Sequence, residues 1–289
     1  MDFALNLKTA SRLDFAAFLN LAVDLGCVGV EPRNDLGRPL FDGITLDRAG
    51  ERARARGLRL VGLSEVYPFN DWNADRRAAV AILIEAADAA GAETITLIPR
   101  VDLRDPDTDA RAAALRAVVS EIAPMLAGTN VIALLEPIGF ANCSMKFQRE
   151  AAAAIESLGL VDRFGIVHDT FQHALARDED FLVPHIRVVH ISGISGAPGD
   201  LTDAQDAERV LVDESDRTDT LGQMRRLIAA GHRGPFSFEC TSLSVRECED
   251  PRAAIAESIV YLRRNLSNIG DVGDAPATRF PLQQPWRKQ

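Results

Sequence analysis

Four apolar runs in the sequence close on side chains that can hold a divalent cation. VIALLEP carries Glu136, FGIVHD ends at Asp169, IRVVHIS carries His190 and PFSFEC carries Glu239. Short runs of this kind read as buried strands, and in parallel α/β proteins ligands gather at the carboxyl ends of strands. Two glutamates, an aspartate and a histidine brought together form a donor set suited to Mn2+ or Mg2+ ahead of Zn2+, with Co2+ and Fe2+ also accommodated. Three carboxylates that close would repel one another and resist ionisation, a conflict that a cation resolves, so the pattern predicts one divalent metal. Singly, each acid has an ordinary reading as a salt-bridge partner or helix cap; the prediction rests on the four together.

The other histidines carry less. His168 precedes Asp169, and successive strand residues point to opposite faces, so it is expected in the helix layer. His173 lies just past the strand, within reach of a substrate. His185 and His232 sit beside Pro184 and Gly231 and are expected at the surface. Cys240, next to Glu239, is expected to pack rather than react.

The elements that must position these residues alternate. Strands are predicted at 3–7, 28–31, 58–63, 94–98, 131–135, from 164 into Asp169, at 186–191 and at 236–239. Between them lie helix patterns at 13–25, 47–56, 76–90, 109–126, 148–158, a polar helix before 186, then 221–230 and 251–266, several stopped by glycine. Eight such units predict an α/β fold, a single (β/α)8 TIM barrel spanning 1–266, followed by a C-terminal tail at 267–289 with Pro276, Pro281 and Pro285. In that barrel the last four strands are neighbours, which brings the four candidate ligands to one side of the mouth. Neither GxGxxG after the first strand nor a Walker A sequence competes.

Composition narrows the partners. The chain has 289 residues, ordinary for one barrel, and 47% hydrophobic against 26% charged residues, enough to bury a large core. Its 32 basic and 42 acidic residues give a net charge of −10, which disfavours nucleic acid. The four cysteines form no CxxC, and the N-terminus lacks a signal-peptide pattern, so a reduced, cytoplasmic protein is expected. No apolar run approaches the roughly 20 residues that span a bilayer. A homo-oligomer is left open.

The four residues, in their order and strand assignment, resemble the xylose isomerase-like barrel superfamily of sugar isomerases and epimerases over nearly the whole body. The resemblance implies that Glu136, Asp169, His190 and Glu239 hold one metal. The segments GVEPRNDLGRPLFDG, GLSEVYPFNDW and HDTFQHALA look like 2-keto-myo-inositol (inosose) isomerases of bacterial inositol catabolism. That likeness implies movement of a keto-inositol carbonyl to the adjacent carbon through an enediolate, with Glu136 and Glu239 as base and acid; a hydride shift is the other route open. Arg33, Glu65, Tyr67 and Trp72, from loops on the same face, are expected to line the pocket, with Trp72 and Phe69 giving apolar faces to ring C–H groups. Within DAER, Arg209 would grip substrate oxygens, with Asp206 nearby. The family often carries histidine three residues after the metal aspartate; here that position is Gln172, with His173 one further on. Gln172 can hydrogen-bond a hydroxyl or carbonyl but cannot shuttle a proton. The related endonuclease IV enzymes build a three-metal cluster with further histidines, which the strand ends SEV and IPR do not supply. The rival readings are an inosose dehydratase, a ketose 3-epimerase or a hydroxypyruvate isomerase on the same metal site, a metal-dependent nuclease, and a non-catalytic sugar- or partner-binding barrel.

Overall fold

The computed structural model describes residues 1–102, 107–196 and 201–266; the predicted tail at 267–289 lies outside the described residues. The strands are β1 (Phe3–Asn6), β2 (Gly29–Glu31), β3 (Arg59–Leu60), β4 (Leu63–Val66), β5 (Thr94–Leu97), β6 (Ile132–Leu135), β7 (Phe164–Asp169), β8 (Ile186–Ile191) and β9 (Phe236–Phe238). All neighbours pair in parallel, in the order β3-β2-β1-β9-β8-β7-β6-β5-β4. The helices are α1 (Phe15–Asp24), α2 (Leu46–Arg54), α3 (Ala74–Ala90), α4 (Thr108–Ile122), α5 (Gln148–Ser157), α6 (Thr170–Ala176), α7 (Thr220–Ala229), α8 (Leu243–Arg246) and α9 (Pro251–Leu266).

The two ends of the strand order, β3 and β4, are consecutive in the chain: β3 lies within the strand predicted at 58–63, while β4 starts at its last residue, Leu63, and runs on through residues 64–66, which the sequence pattern assigns to the following loop. The chain breaks at Val61–Gly62, where Thr94 Oγ1 donates to the Val61 carbonyl at 2.8 Å. Across the break Glu93 N donates to Leu60 O and Asn34 N to Ser64 O, so the sheet nearly closes on itself as a TIM barrel. The added strand thus comes from one kinked strand, and the eight-unit plan holds.

Local signals set the helix ends. Asp14 and Asn73 accept from Ala17 N and Arg76 N as N-caps, at 2.8 and 3.0 Å. Gly91 ends α3 in the left-handed region at φ 73°. Pro124 confines α4 to Ile122, and the rest of the predicted helix tightens into a 3-10 turn at Ala123–Leu126. The sequence reading had no counterpart for α8, four residues capped by Ser242.

Apolar residues separate into two layers. Most fill the space between barrel and helices, while Ala4, Val61, Leu134, Val167 and Val188 form a small separate cluster. Leu134, Val167 and Val188 stand two residues before Glu136, Asp169 and His190, on the same strand face. The barrel interior therefore has an apolar layer with the candidate ligands directly above it, toward the carboxyl ends.

Candidate metal centre

Register delivers the site. Asp169 pairs with His190, and His190 with Ser237, which places Glu239, the residue directly after β9, two positions beyond Ser237 on the same inward side. Glu136 directly follows β6. One ligand atom from each of Glu136, Asp169, His190 and Glu239 lies within 4.8 Å of the others, and all four side chains are buried. His190 Nδ1 approaches Glu239 Oε2 to 3.1 Å, Glu136 Oε1 to 3.5 Å and Asp169 Oδ2 to 3.9 Å. Yet Nδ1 makes no hydrogen bond. Its other nitrogen, Nε2, lies 3.2 Å from Glu31 Oε2. A buried imidazole nitrogen without a partner, facing three carboxylates, is the donor arrangement a divalent cation takes, so the residues fit one.

The charges are strongly coupled. Burial opposes a proton on His190, but Glu239, Glu31 and Glu136 outweigh it and hold its pKa well above the usual imidazole value. Burial, with repulsion from Glu239 and Asp169 added, pushes Glu136 up to about 7 against the pull of His190. Asp169 is likewise raised by burial, in part offset by Arg209. At Glu239 burial is overcome by His190, Arg209 and Arg33, and its pKa lies well below the usual carboxylate range. The three acids therefore differ in what surrounds them although they share one donor cluster.

Two buried arginines explain that difference. Arg33 Nη1 donates to Glu239 Oε1 and Nη2 to Glu65 Oε2, both at 2.6 Å, and its Nε donates to Asp35 Oδ1 at 2.7 Å. Arg209 Nη2 donates to Asp169 Oδ2 and, at 3.1 Å, to Glu239 Oε2, while its Nε donates to Ser192 Oγ. Glu239 is thus clamped on both oxygens, and charge-assisted bonds of this kind are the strong ones.

The sequence of residues 19–265 matches the family described as the xylose isomerase-like TIM barrel. The chain belongs to that family. Among solved structures, a xylose isomerase domain containing protein from Salmonella typhimurium LT2 is 26% identical, with a TM-score of 0.81 over 92% of this chain and 97% of its own. The IolI protein, solved with a bound zinc atom, is 16% identical, with a TM-score of 0.78 over 92% of this chain and 98% of its own. An L-ribulose 3-epimerase is 18% identical, with a TM-score of 0.68 over 92% and 95%. Comparison with curated proteins gives no match.

Within this xylose isomerase-like barrel the remaining predicted residues separate. Arg33, Glu65 and Arg209 join the four through the clamps just described. Gln172 is buried on α6, and its Oε1 accepts from Gly139 N at 2.9 Å. His173 is not brought to the cluster: α6 turns its ring against His168, centroids 4.5 Å apart, and against Phe181 at 4.6 Å. His168 is in the helix layer as expected, with Nδ1 2.6 Å from Gln148 Nε2 and Nε2 2.9 Å from Gln223 Oε1. Tyr67 is 48% exposed, Trp72 packs half-buried on the core, and Phe69 is fully buried within it. His232, expected at the surface, is buried against Phe236, with ring centroids 5.4 Å apart. Cys240 is buried, its thiol pushed up to about 12 by burial, and it packs as expected. Glu31 was missed, although GVE closes a predicted strand on a carboxylate just as the other runs do. Among the described residues, no helix is long and apolar enough to cross a membrane.

Proposed function

We propose that this protein is a divalent-metal-dependent isomerase of cyclic polyol ketones, moving the carbonyl of 2-keto-myo-inositol to the adjacent carbon. The observation that carries the reading is the convergence of Glu136, Asp169, His190 and Glu239 with His190 Nδ1 unpartnered among them. Family membership supports a sugar or polyol substrate, and the inosose isomerase-like segments named above favour the keto-inositol within that class. Mn2+ is the metal proposed, since three of the four donors are carboxylates.

A bound divalent cation supplies positive charge where a substrate oxygen gains negative charge during carbonyl migration. Asp169 and His190 hold the site. Glu136 and Glu239 are the two groups placed to handle protons: one takes the C–H proton from the hydroxyl-bearing carbon beside the ketone, and the other returns a proton to the former carbonyl carbon. The hydroxyl proton passes to the old carbonyl oxygen, so substrate and product are isomers. Arg33 and Arg209 hold Glu239 between them, which limits its movement. Glu65 and Asp35, each about one-fifth exposed, flank Arg33 and offer acceptors to polyol hydroxyls.

The test is incubation of the Mn2+-loaded protein with 2-keto-myo-inositol, followed by NMR. An isomeric keto-inositol of unchanged mass is the expected product. A dehydrated product with a new chromophore, or turnover only of a ketose by epimerisation, would replace the proposed reaction.

A further inference from the structure

Glu31 ends β2, three strands away from β8 in the sheet order, yet it meets His190 inside the barrel. It is buried, and its Oε2 lies 3.2 Å from His190 Nε2 while Oε1 has no hydrogen-bond partner. No lysine or arginine pairs with it among the described residues. A carboxylate only accepts, so the hydrogen of this contact sits on His190 Nε2. Among the described residues its side chain has one partner, the His190 imidazole, and a buried carboxylate so sparsely paired is costly to the fold. The kink between β3 and β4 makes its place: a Cβ on Gly62 would lie 3.4 Å from Glu31 Oε2 and 2.5 Å from Thr94 Oγ1. Any larger residue at Gly62 would press on the carboxylate or on the Thr94 hydroxyl.

We propose that Glu31 is a positioning residue of the metal centre, accepting the Nε2 hydrogen of His190 so that Nδ1 faces Glu136, Asp169 and Glu239. The assignment rests on reading those four residues as a metal centre. By holding the hydrogen on Nε2, Glu31 leaves Nδ1 as the ring atom that faces the cation. It also fixes the ring plane, because Nε2 and Nδ1 lie on opposite edges of the imidazole. Loss of such a support typically weakens metal binding by about 10- to 100-fold.

The test uses the full chain loaded with Zn2+, a diamagnetic probe. Histidine labelled with 15N reports which ring nitrogen carries hydrogen and which meets the metal; the chain has only five histidines, and His190→Asn identifies the signal. The expected result is hydrogen on Nε2 and Zn2+ on Nδ1 in the unaltered protein. In competition against a chromophoric chelator, Glu31→Leu should bind Zn2+ about 10- to 100-fold more weakly, and Glu31→Gln, which keeps a carbonyl acceptor, should recover part of that loss. Zn2+ on Nε2, or unchanged affinity in folded Glu31→Leu, would overturn the role of Glu31 and leave the metal centre standing. Failure of the unaltered protein to bind Zn2+ would overturn both. If Glu31→Leu does not fold, the unaltered protein's spectrum still overturns the role should Zn2+ sit on Nε2, and Glu31→Gln carries the affinity test, unchanged affinity there overturning the role as well.

Discussion

Replacing Arg33 with methionine probes how the fold tolerates so many buried acids. Arg33 Nη1 lies 2.6 Å from Glu239 Oε1, and the two side chains are only 4% and 7% exposed. At an effective dielectric of about 20, charges at that separation attract by about 6 kcal/mol, before the cost of taking both from water. Removing one partner of such a pair leaves the other charged and buried, which typically costs about 3–5 kcal/mol. Glu65 and Asp35, at 21% and 23% exposure, recover more hydration and add less. Arg33→Met should therefore lose about 3–5 kcal/mol in urea unfolding at neutral pH, a large share of an ordinary domain's stability. Arg209 still contacts Glu239 Oε2, which keeps the loss from going higher. Mn2+ should restore part of it, because a ligand bound only by the folded state stabilises that state. A loss below about 1 kcal/mol, with or without Mn2+, would refute the claim that Arg33 neutralises Glu239.

Other consequences are separable. Glu239→Gln should leave the fold intact but abolish turnover and weaken Mn2+ binding; near-normal turnover would remove its assigned role. His173→Ala should cost about 1–3 kcal/mol in stability, through lost contact with His168 and Phe181, while kcat stays near the unaltered value; a collapse of kcat at unchanged stability would place the ring in the pocket after all. Burial lowers the His232 pKa from 6.5 to about 4. Between those values the unfolded chain binds the proton and the folded one does not, so this contribution is intact above pH 6.5 and is lost as pH falls to 4, by up to about 3 kcal/mol. His232→Leu should flatten the fall in urea stability across that window, and an unchanged slope would contradict the assignment.

The barrel and the four-residue cluster were legible because both follow from local pattern. Apolar runs closing on Glu136, Asp169, His190 and Glu239 carry strand, direction and ligand in one signal, and eight alternating units leave few topologies. What escaped depended on contacts distant in sequence. The run at 58–63 is continuously apolar apart from Arg59 and Gly62, and only the approach of Thr94 to Val61 shows why it breaks. Glu31 sends the same local signal as the other acids, but its importance comes from a contact with His190, 159 residues away. His173 follows Asp169 closely in sequence, yet one turn of α6 carries its ring into the helix layer. His232 sits between Gly231 and Arg233, a setting that reads as surface, and Phe236 covers it. The two arginine clamps could be named from the loops but not directed, since Arg33 and Arg209 reach Glu239 from opposite parts of the chain.

The most direct test of the central claim pairs metal content with chemistry on one preparation. Protein equilibrated with Mn2+ and passed through a desalting column is assayed for metal, then incubated with 2-keto-myo-inositol in D2O with and without EDTA, and followed by NMR. One Mn2+ per chain, lost in Asp169→Asn, with EDTA-sensitive formation of an isomeric keto-inositol, is the predicted result. Absence of stoichiometric metal after reconstitution, or conversion that EDTA leaves untouched, would contradict the account.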